Sequence, residues 1–282
     1  MVIETKYVKD TFEQYLGKKD HISASDIKNF LKSPKYYYWN KYLKTEKEEG
    51  RHFAIGSAIH ELILEPQLFL SNYIVMPKVD RRTKDGKLQY EQFMIEAQGK
   101  TMLDSEEMTM ITEMVKNATD NKTFMSLLEN SHRELSAYLV DQSTGLKLKV
   151  RPDVLPQTKS TIIDIKSCLD SSPKKFKGDV YSYGYSLSAA YYCDLLKREN
   201  YIFAAIEKSQ PYQTSLYALS DEMMEYGRQQ YRLGLDLLKW SYDNNYWCDH
   251  NEFEILKEAR ELDNLEQFFE INELSTKITI LQ

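Results

Sequence analysis

Asp164 and Lys166 lie two residues apart in Thr161-Ile162-Ile163-Asp164-Ile165-Lys166, a β-branched run that predicts a strand. A strand repeats every two residues, so the carboxylate and the ammonium leave one face together while Ile163 and Ile165 anchor the other face in the core. An isolated Asp-x-Lys pair is common and means little by itself. Asp153 changes its weight. If residues 156–160 close a hairpin, Asp153 stands opposite Asp164, with β-carbons about 4.5–5.5 Å apart. Two carboxylates that close repel, unless a divalent cation sits between them, and hard oxygen donors at this spacing suit Mg²⁺ or Mn²⁺. Lys166 then lies beside the ion, where it offsets charge developing on a phosphate or orients an attacking water. A plain ion pair from Lys166 to one Asp explains two of these residues and leaves the other carboxylate without a reason.

His60 is the fourth member. The pattern predicts a helix over 53–64 in which His60 shares a face with Phe53, Gly56 and Leu64. Gly56, one turn earlier, leaves room for close backbone approach. Packed on the strand pair, this helix would add an imidazole nitrogen to the ion. His60-Glu61 opens like the zinc-protease pattern His-Glu-x-x-His, but position 64 is Leu, which excludes it.

The elements that must hold these residues alternate in type. Residues 1–20 have weak periodicity and are expected to be ordered only by a partner. Ser23 or Ser25 caps a helix through Ile27, Phe30 and Leu31, which Ser33-Pro34 ends. The aromatic run over 35–43 reads as helical, with its rings in packing rather than base stacking. Residues 77–90 are polar and basic and read as a loop. Helices follow over 104–130, with Ser105 as a cap. At Glu134 the period becomes two: Leu135, Ala137 and Leu139, then Leu146, Leu148 and Val150, predict a hairpin whose other face is basic and exposed. Ser171-Ser172-Pro173 opens a lysine-rich connection. A helix over 183–198, strands over 202–206 and 214–218, and a helix capped by Ser220 with the stripe Met224, Tyr231, Leu235, Leu238 and Tyr242 complete the body.

The chain has 282 residues, 42% of them hydrophobic and 28% charged, which excludes wholesale disorder and allows one large domain or two small ones. No apolar run reaches the roughly 18 residues of a membrane span. Met1-Val2-Ile3-Glu4-Thr5-Lys6 lacks a signal-peptide pattern, so a cytoplasmic location is expected. Cys168, Cys193 and Cys248 cannot supply the four thiolates of an iron–sulfur cluster, and they read as reduced thiols. Cys248–Gln282 carries nine Asp/Glu and three Lys/Arg, which accounts for the whole formal charge of −6. The body is therefore balanced and holds local basic clusters: Arg81, Arg82 and Lys84; Lys147, Lys149 and Arg151; Lys174, Lys175 and Lys177. Phosphate binding needs a local positive patch, not a positive total.

Arg151-Pro152-Asp153 followed by Asp164-Ile165-Lys166 resembles the defining motif of the PD-(D/E)XK nuclease superfamily. Within it the chain most resembles the exodeoxyribonuclease VIII (RecE-type) branch of phages and prophages, over about residues 22–245. Four further segments carry the resemblance. They are Ser23–Phe30 with Ser33–Tyr37, Gly56-Ser57-Ala58-Ile59-His60, the basic Arg81–Lys87, and Tyr185–Tyr192. The last is similar to a helix whose usual pattern is Tyr-x-x-Gln-x-x-x-Tyr, but Ser188 stands in place of Gln, which puts the contact made there in doubt.

The resemblance implies a restriction-endonuclease-like α/β core, with a central mixed sheet flanked by helices and a helical N-terminal part. Its implied organisation is an extension over 1–21, a nuclease domain over 22–247 (helical over about 22–130, catalytic core over about 131–247), and an acidic tail over 248–282. His60, Asp153 and Asp164, with the Ile165 carbonyl, would hold Mg²⁺ or Mn²⁺, and Lys166 would be the catalytic lysine. Glu134, Tyr185, Ser188 and Tyr192 would be supporting residues. The three basic clusters would bind the DNA backbone. The implied activity is metal-dependent exonuclease action on linear double-stranded DNA ends, 5′ to 3′, leaving 3′ single strands for recombination. A ring-shaped homo-oligomer and a single-strand annealing partner are implied with it. The rival readings are a non-cleaving DNA-end-binding protein of the same fold, and a structure-specific or single-strand nuclease in repair or defence.

Overall fold

A computed structural model of the chain describes residues 5–45 and 50–261. The elements in order are β1 (Lys6–Val8), α1 (Phe12–Gly17), α2 (Ala24–Lys32) and α3 (Pro34–Tyr38), which runs on into a π-helical turn, Trp39–Leu43. Next come α4 (Arg51–Leu64), α5 (Pro66–Asn72), β2 (Tyr73–Val75), α6 (Lys84–Glu96), β3 (Thr101–Leu103), α7 (Ser105–Asp120) and α8 (Lys122–Leu128). Strands β4 (Ser131–Arg133), β5 (Ser136–Val140), β6 (Lys147–Val150), β7 (Val154–Pro156) and β8 (Thr161–Cys168) follow. The chain continues through α9 (Pro173–Ser182), α10 (Tyr185–Leu196), β9 (Asn200–Glu207), β10 (Thr214–Ala218), α11 (Asp221–Asn244) and α12 (His250–Glu261).

Two sheets carry the architecture. One is antiparallel, in the order β1-β5-β6; the other is mixed, in the order β10-β9-β8-β7-β4. Strands β8 and β9 are parallel, because α9 and α10 form the crossover between them. A small parallel pair, β2-β3, stands apart. Strand β8 is buried on both faces. Ile162 joins a core with Phe30 of α2, Phe176 of α9, Tyr191 of α10 and Leu235 of α11. Ile163 and Ile165 join a second core with Ile59 and Ile63 of α4, Ile111 of α7 and Phe124 of α8. Helices therefore cover both sides of the mixed sheet, the α/β arrangement that the order of elements predicts.

Local chemistry sets the helix starts. The Ser23 hydroxyl accepts the Asp26 N–H, and the Asp26 carboxylate accepts the Ser23 N–H, a reciprocal cap on α2. Ser33 caps α3 through the Tyr36 N–H. Helix α7 is capped by Asp104, not by Ser105; the Asp104 carboxylate accepts the Glu106 and Glu107 N–H groups.

Other expectations are corrected. Residues 84–96 form a helix rather than a loop, since Thr83 accepts the Gly86 N–H and so starts α6. The lysine-rich stretch after Pro173 is also helical, with Phe176 and Val180 facing inward and Lys174, Lys175 and Lys177 outward. Residues 5–20 need no partner chain for their order, since β1 pairs with β5 and the Thr11-capped α1 buries Tyr15, while residues 1–4 lie outside the described residues. The acidic tail does not begin as a solvated helix. Phe253, Leu256 and Ala259 of α12 are buried in the first core, while residues 262–282 lie outside the described residues. Among the described residues no helix is long and apolar enough to cross a membrane.

Candidate metal and catalytic centre

The site forms where the two sheets part. Strands β4 and β5 are consecutive along one side, and β6 and β7 along the other. Residues 134–135 carry the first pair across the gap, and Arg151-Pro152-Asp153 carry the second. The Glu134 N–H donates to the Asp153 carbonyl at 3.0 Å, so the two residues face each other at the crossing. Glu134 has a left-handed backbone, φ 51°, which is costly for a residue with a side chain and re-aims its carboxylate at the break.

Beyond Val154↔Ile163, β7 no longer pairs with β8. The unpaired strand edge at Ile165 is completed by a side chain instead. The Ile165 N–H donates to Asp153 Oδ2 at 2.7 Å. His60 itself arrives on α4, whose Gly56 passes over β8. A β-carbon at Gly56 would meet Ser167 Oγ at 3.4 Å. His60 Nδ1 lies 3.5 Å from Asp153 Oδ2. Single ligand atoms of His60, Glu134 and Asp153 all lie within 4.8 Å of one another.

Asp164 and Lys166 leave β8 on the other face, toward α10, as their spacing predicts. Asp164 is buried, and its carboxylate pairs with the Lys166 ammonium at 2.5 Å. The ammonium stands 5.4 Å from the centre of the Tyr185 ring. That ring stacks on Phe203 at 5.5 Å. The Tyr192 hydroxyl sits 3.4 Å from the Arg151 carbonyl, its acceptor. Ser188 turns its hydroxyl back to the Gly184 carbonyl of its own helix at 3.5 Å, so its hydrogen bond is spent locally.

The electrostatics fit a cation. Burial, and next the Asp153 charge, push the Glu134 carboxyl up to about 7, against the pull of Arg151. Burial and the Asp164 carboxylate push Asp153 well above the usual carboxylate range. Burial and Lys166 hold the His60 imidazole below its ordinary value, in the neutral form that ligates metals. Burial opposes the Lys166 ammonium, but Asp164 and Asp153 outweigh it and raise its pKa. Clustered carboxylates that would rather be protonated, beside a neutral imidazole, are a set of donors that could hold a metal ion. Glu134 enters this set more directly than its place before a strand suggested.

The basic residues divide. Lys174, Lys175 and Lys177 are exposed on α9, and Arg81, Arg82 and Lys84 are exposed beside α6. Arg81 stacks on Tyr90 at 4.7 Å, and Arg82 pairs with Asp80 at 3.0 Å. The expected basic face over 147–151 is not open, because β1 and α1 cover it. Lys149 is buried, donating to the Tyr15 and Lys18 carbonyls at 2.9 and 3.0 Å. Arg151 is buried, donating to Glu134 at 2.6 Å and to the Asp10 carbonyl at 2.7 Å. Lys147 is exposed but paired with Asp20 at 2.9 Å.

One residue at the site had no sequence signal of its own. Lys28 of α2 places its ammonium 5.9 Å from the centre of the same Tyr185 ring. Burial, and next Lys166, push it down to about 8.

Residues 23–259 match the family described as a PDDEXK-like domain of unknown function (DUF3799). The fold is similar to the crystal structure of a "Putative exonuclease" from Eubacterium rectale, with 14% identity over 87% of this chain and 91% of that one and a TM-score of 0.61. An alkaline exonuclease (LHK-Exo) from Laribacter hongkongensis is more distant, with 12% identity over 83% and 97% of the two chains and a TM-score of 0.32. No curated protein matches the sequence. At 14% identity the property shared with the Eubacterium rectale structure is the fold: a mixed sheet between helices, of the restriction-endonuclease-like kind.

Proposed function

The chain belongs to the PDDEXK-like DUF3799 family, and on that premise we propose that it is a metal-dependent exodeoxyribonuclease acting on ends of linear double-stranded DNA. The observation that carries the reading is the convergence of His60, Glu134 and Asp153 within the reach of one ion, next to the Asp164–Lys166 pair. A bound Mg²⁺ or Mn²⁺ would polarise the scissile phosphate and acidify a water. His60, Glu134, Asp153 and the Ile165 carbonyl would hold the ion, with Asp164 completing the set once Lys166 turns to the phosphate. Lys166 would then offset the charge that develops on the transferring phosphoryl oxygens. The exposed lysines of α9 and the basic residues beside α6 would hold the backbone without reading sequence. Digestion from the 5′ side, ring assembly and handover to an annealing protein rest on the motif resemblance alone.

The test is digestion of end-labelled linear duplexes in Mg²⁺ by the wild type beside Asp164→Ala and Lys166→Ala, with closed circular DNA as control. Nucleotide release from linear DNA only, lowered at least about a hundredfold in both variants, is the expected result. Release unchanged by Asp164→Ala refutes the assignment of the centre. Equal attack on the circle refutes the exonuclease reading, and binding with no release at any cation concentration favours the non-cleaving alternative.

A further inference from the structure

Lys28 is a cation whose environment does not account for it. Three other embedded lysines have matched partners. Lys41 pairs with Asp26 at 3.1 Å and also donates to the His21 carbonyl. Lys149 donates to two carbonyls, and Lys166 pairs with Asp164. The half-buried Lys28 ammonium has three protons to donate and finds one acceptor, the Tyr183 carbonyl at 3.2 Å. Among the described residues no carboxylate lies within ion-pair distance of it. Its surroundings are instead Tyr185, the ammonium of Lys166, a like charge, and at longer range the Asp164 carboxylate that Lys166 already pairs with.

The fold makes room for this arrangement. Gly184 precedes α10 with φ 60°, and a β-carbon there would meet Lys28 Cδ at 3.0 Å. The glycine therefore serves both the left-handed turn and the passage of the lysine stem. The stem runs past the start of α10 to bring its charge to the side of the site where Lys166 already stands. Two ammonium groups over one ring, only one of them neutralised by a carboxylate, make a site for an anion with more than one negative group. Neighbouring phosphates of one nucleic-acid strand have that form, with a charge at each step of about 3.4 Å along the axis.

We infer that Lys28 binds a phosphodiester of the substrate strand next to the one presented to Lys166, and so positions the strand across the centre. This rests on the nuclease reading for the identity of the substrate, and its test separates the two. Lys28→Met keeps the stem that packs beside Gly184 and removes the charge; Lys28→Arg keeps the charge. Affinity of the full chain for a fluorescent linear duplex is measured in Ca²⁺ across a salt series, with nucleotide release in Mg²⁺ and thermal unfolding measured alongside. Lys28→Met is expected to bind roughly tenfold more weakly, with a salt slope smaller by about 0.9, the value of one phosphate contact. Lys28→Arg is expected to keep the wild-type slope, and both variants to unfold with the wild type.

A Lys28→Met slope and affinity equal to wild type overturn the inference. So does an equal loss in Lys28→Met and Lys28→Arg accompanied by a lowered unfolding midpoint, which marks a packing role. Failure of the nuclease reading looks different: the wild type releases no nucleotide, while the Ca²⁺ binding series still reports whether Lys28 contacts a phosphate. A wild type that binds no duplex overturns both.

Discussion

Glu134 and Asp153 face each other across one antiparallel ladder that serves two sheets. Ser131↔Pro156 on one side of the break and Ala137↔Val150 on the other keep the same offset, and the Glu134 N–H to Asp153 carbonyl bond bridges the gap between them. The two carboxylates are therefore brought together by strand register. The ladder is interrupted where regular pairing would otherwise place two acids side by side, and the interruption leaves the Ile165 N–H to Asp153.

A cation should repair this repulsion. Mn²⁺ at about a hundred times its Kd should stabilise the folded chain by about 2.7 kcal/mol, or roughly 5–10 °C in Tm. Glu134→Gln removes one acid and also the charge partner of Arg151, so the shift is read against the variant's own Tm in EDTA, and it should be less than half the wild-type Mn²⁺ shift. An undiminished shift in the variant, read by differential scanning calorimetry, would remove Glu134 from the donor set.

The same acids set a pH dependence without metal. The Glu134 carboxyl is raised to about 7 in the folded chain, against an ordinary value near 4.3 when unfolded. Between those values the folded state holds a proton that the unfolded state has released, so stability falls as pH rises and levels off above about 7. The expected loss is on the order of 2–3 kcal/mol, and the raised Asp153 adds to it in the same direction. Urea unfolding in EDTA at pH 5.5 and 7.5 measures it. Glu134→Gln should flatten the slope, and a slope as steep as wild type would count against the buried acid pair.

How much of this the sequence carries depends on the range of the cause. The Asp164–Lys166 face and the Asp153–Asp164 register follow from strand periodicity and one short loop, so both are legible locally; the observed Val154↔Ile163 pairing has the expected offset. Gly56 and His60 are legible from helix spacing. The burial of Lys149 and Arg151 is not, because what covers them is a segment more than 130 residues earlier whose own periodicity is weak. Glu134 reads as a strand end because its importance arises from a break in pairing that only the second sheet creates. Lys28 sits in a well-capped helix, and nothing in that helix says which distant loop its side chain crosses. Residues 84–96 misled for a simpler reason: Gly86 marks a turn in most contexts, but here it occupies the first turn of a helix that Thr83 caps.

Lys149 and the α9 lysines should separate on mutation. Lys149→Ala removes the donor to two buried carbonyls that hold the loop after α1, at a cost of about 1–3 kcal/mol, with the salt slope of duplex binding unchanged. The Lys174→Ala, Lys175→Ala, Lys177→Ala triple variant should leave Tm within about 1 °C, since the side chains are exposed. It should lower the salt slope by up to about 2.7 if each lysine meets a phosphate. A destabilised triple variant with an unchanged slope would return those lysines to the structural ledger.

The tail is the last case. Its acidic composition suggests a detachable segment, yet Phe253 is buried, with its ring 5.4 Å from Phe30 of α2. Helix α2 carries Lys28 and begins at the Ser23 cap, so α12 supports an element that borders the site. Phe253→Ala should cost about 3–5 kcal/mol. A truncation from residue 250 should do at least as much harm, which would confound any test of the tail as an inhibitor of DNA binding. A truncation that keeps α12 and ends after Glu261 removes four acidic residues and one lysine while leaving Phe253 in place. Tighter duplex binding in that variant would show that the charge beyond α12 competes with DNA. A wild-type Tm for Phe253→Ala, read by differential scanning calorimetry, would contradict the assigned packing.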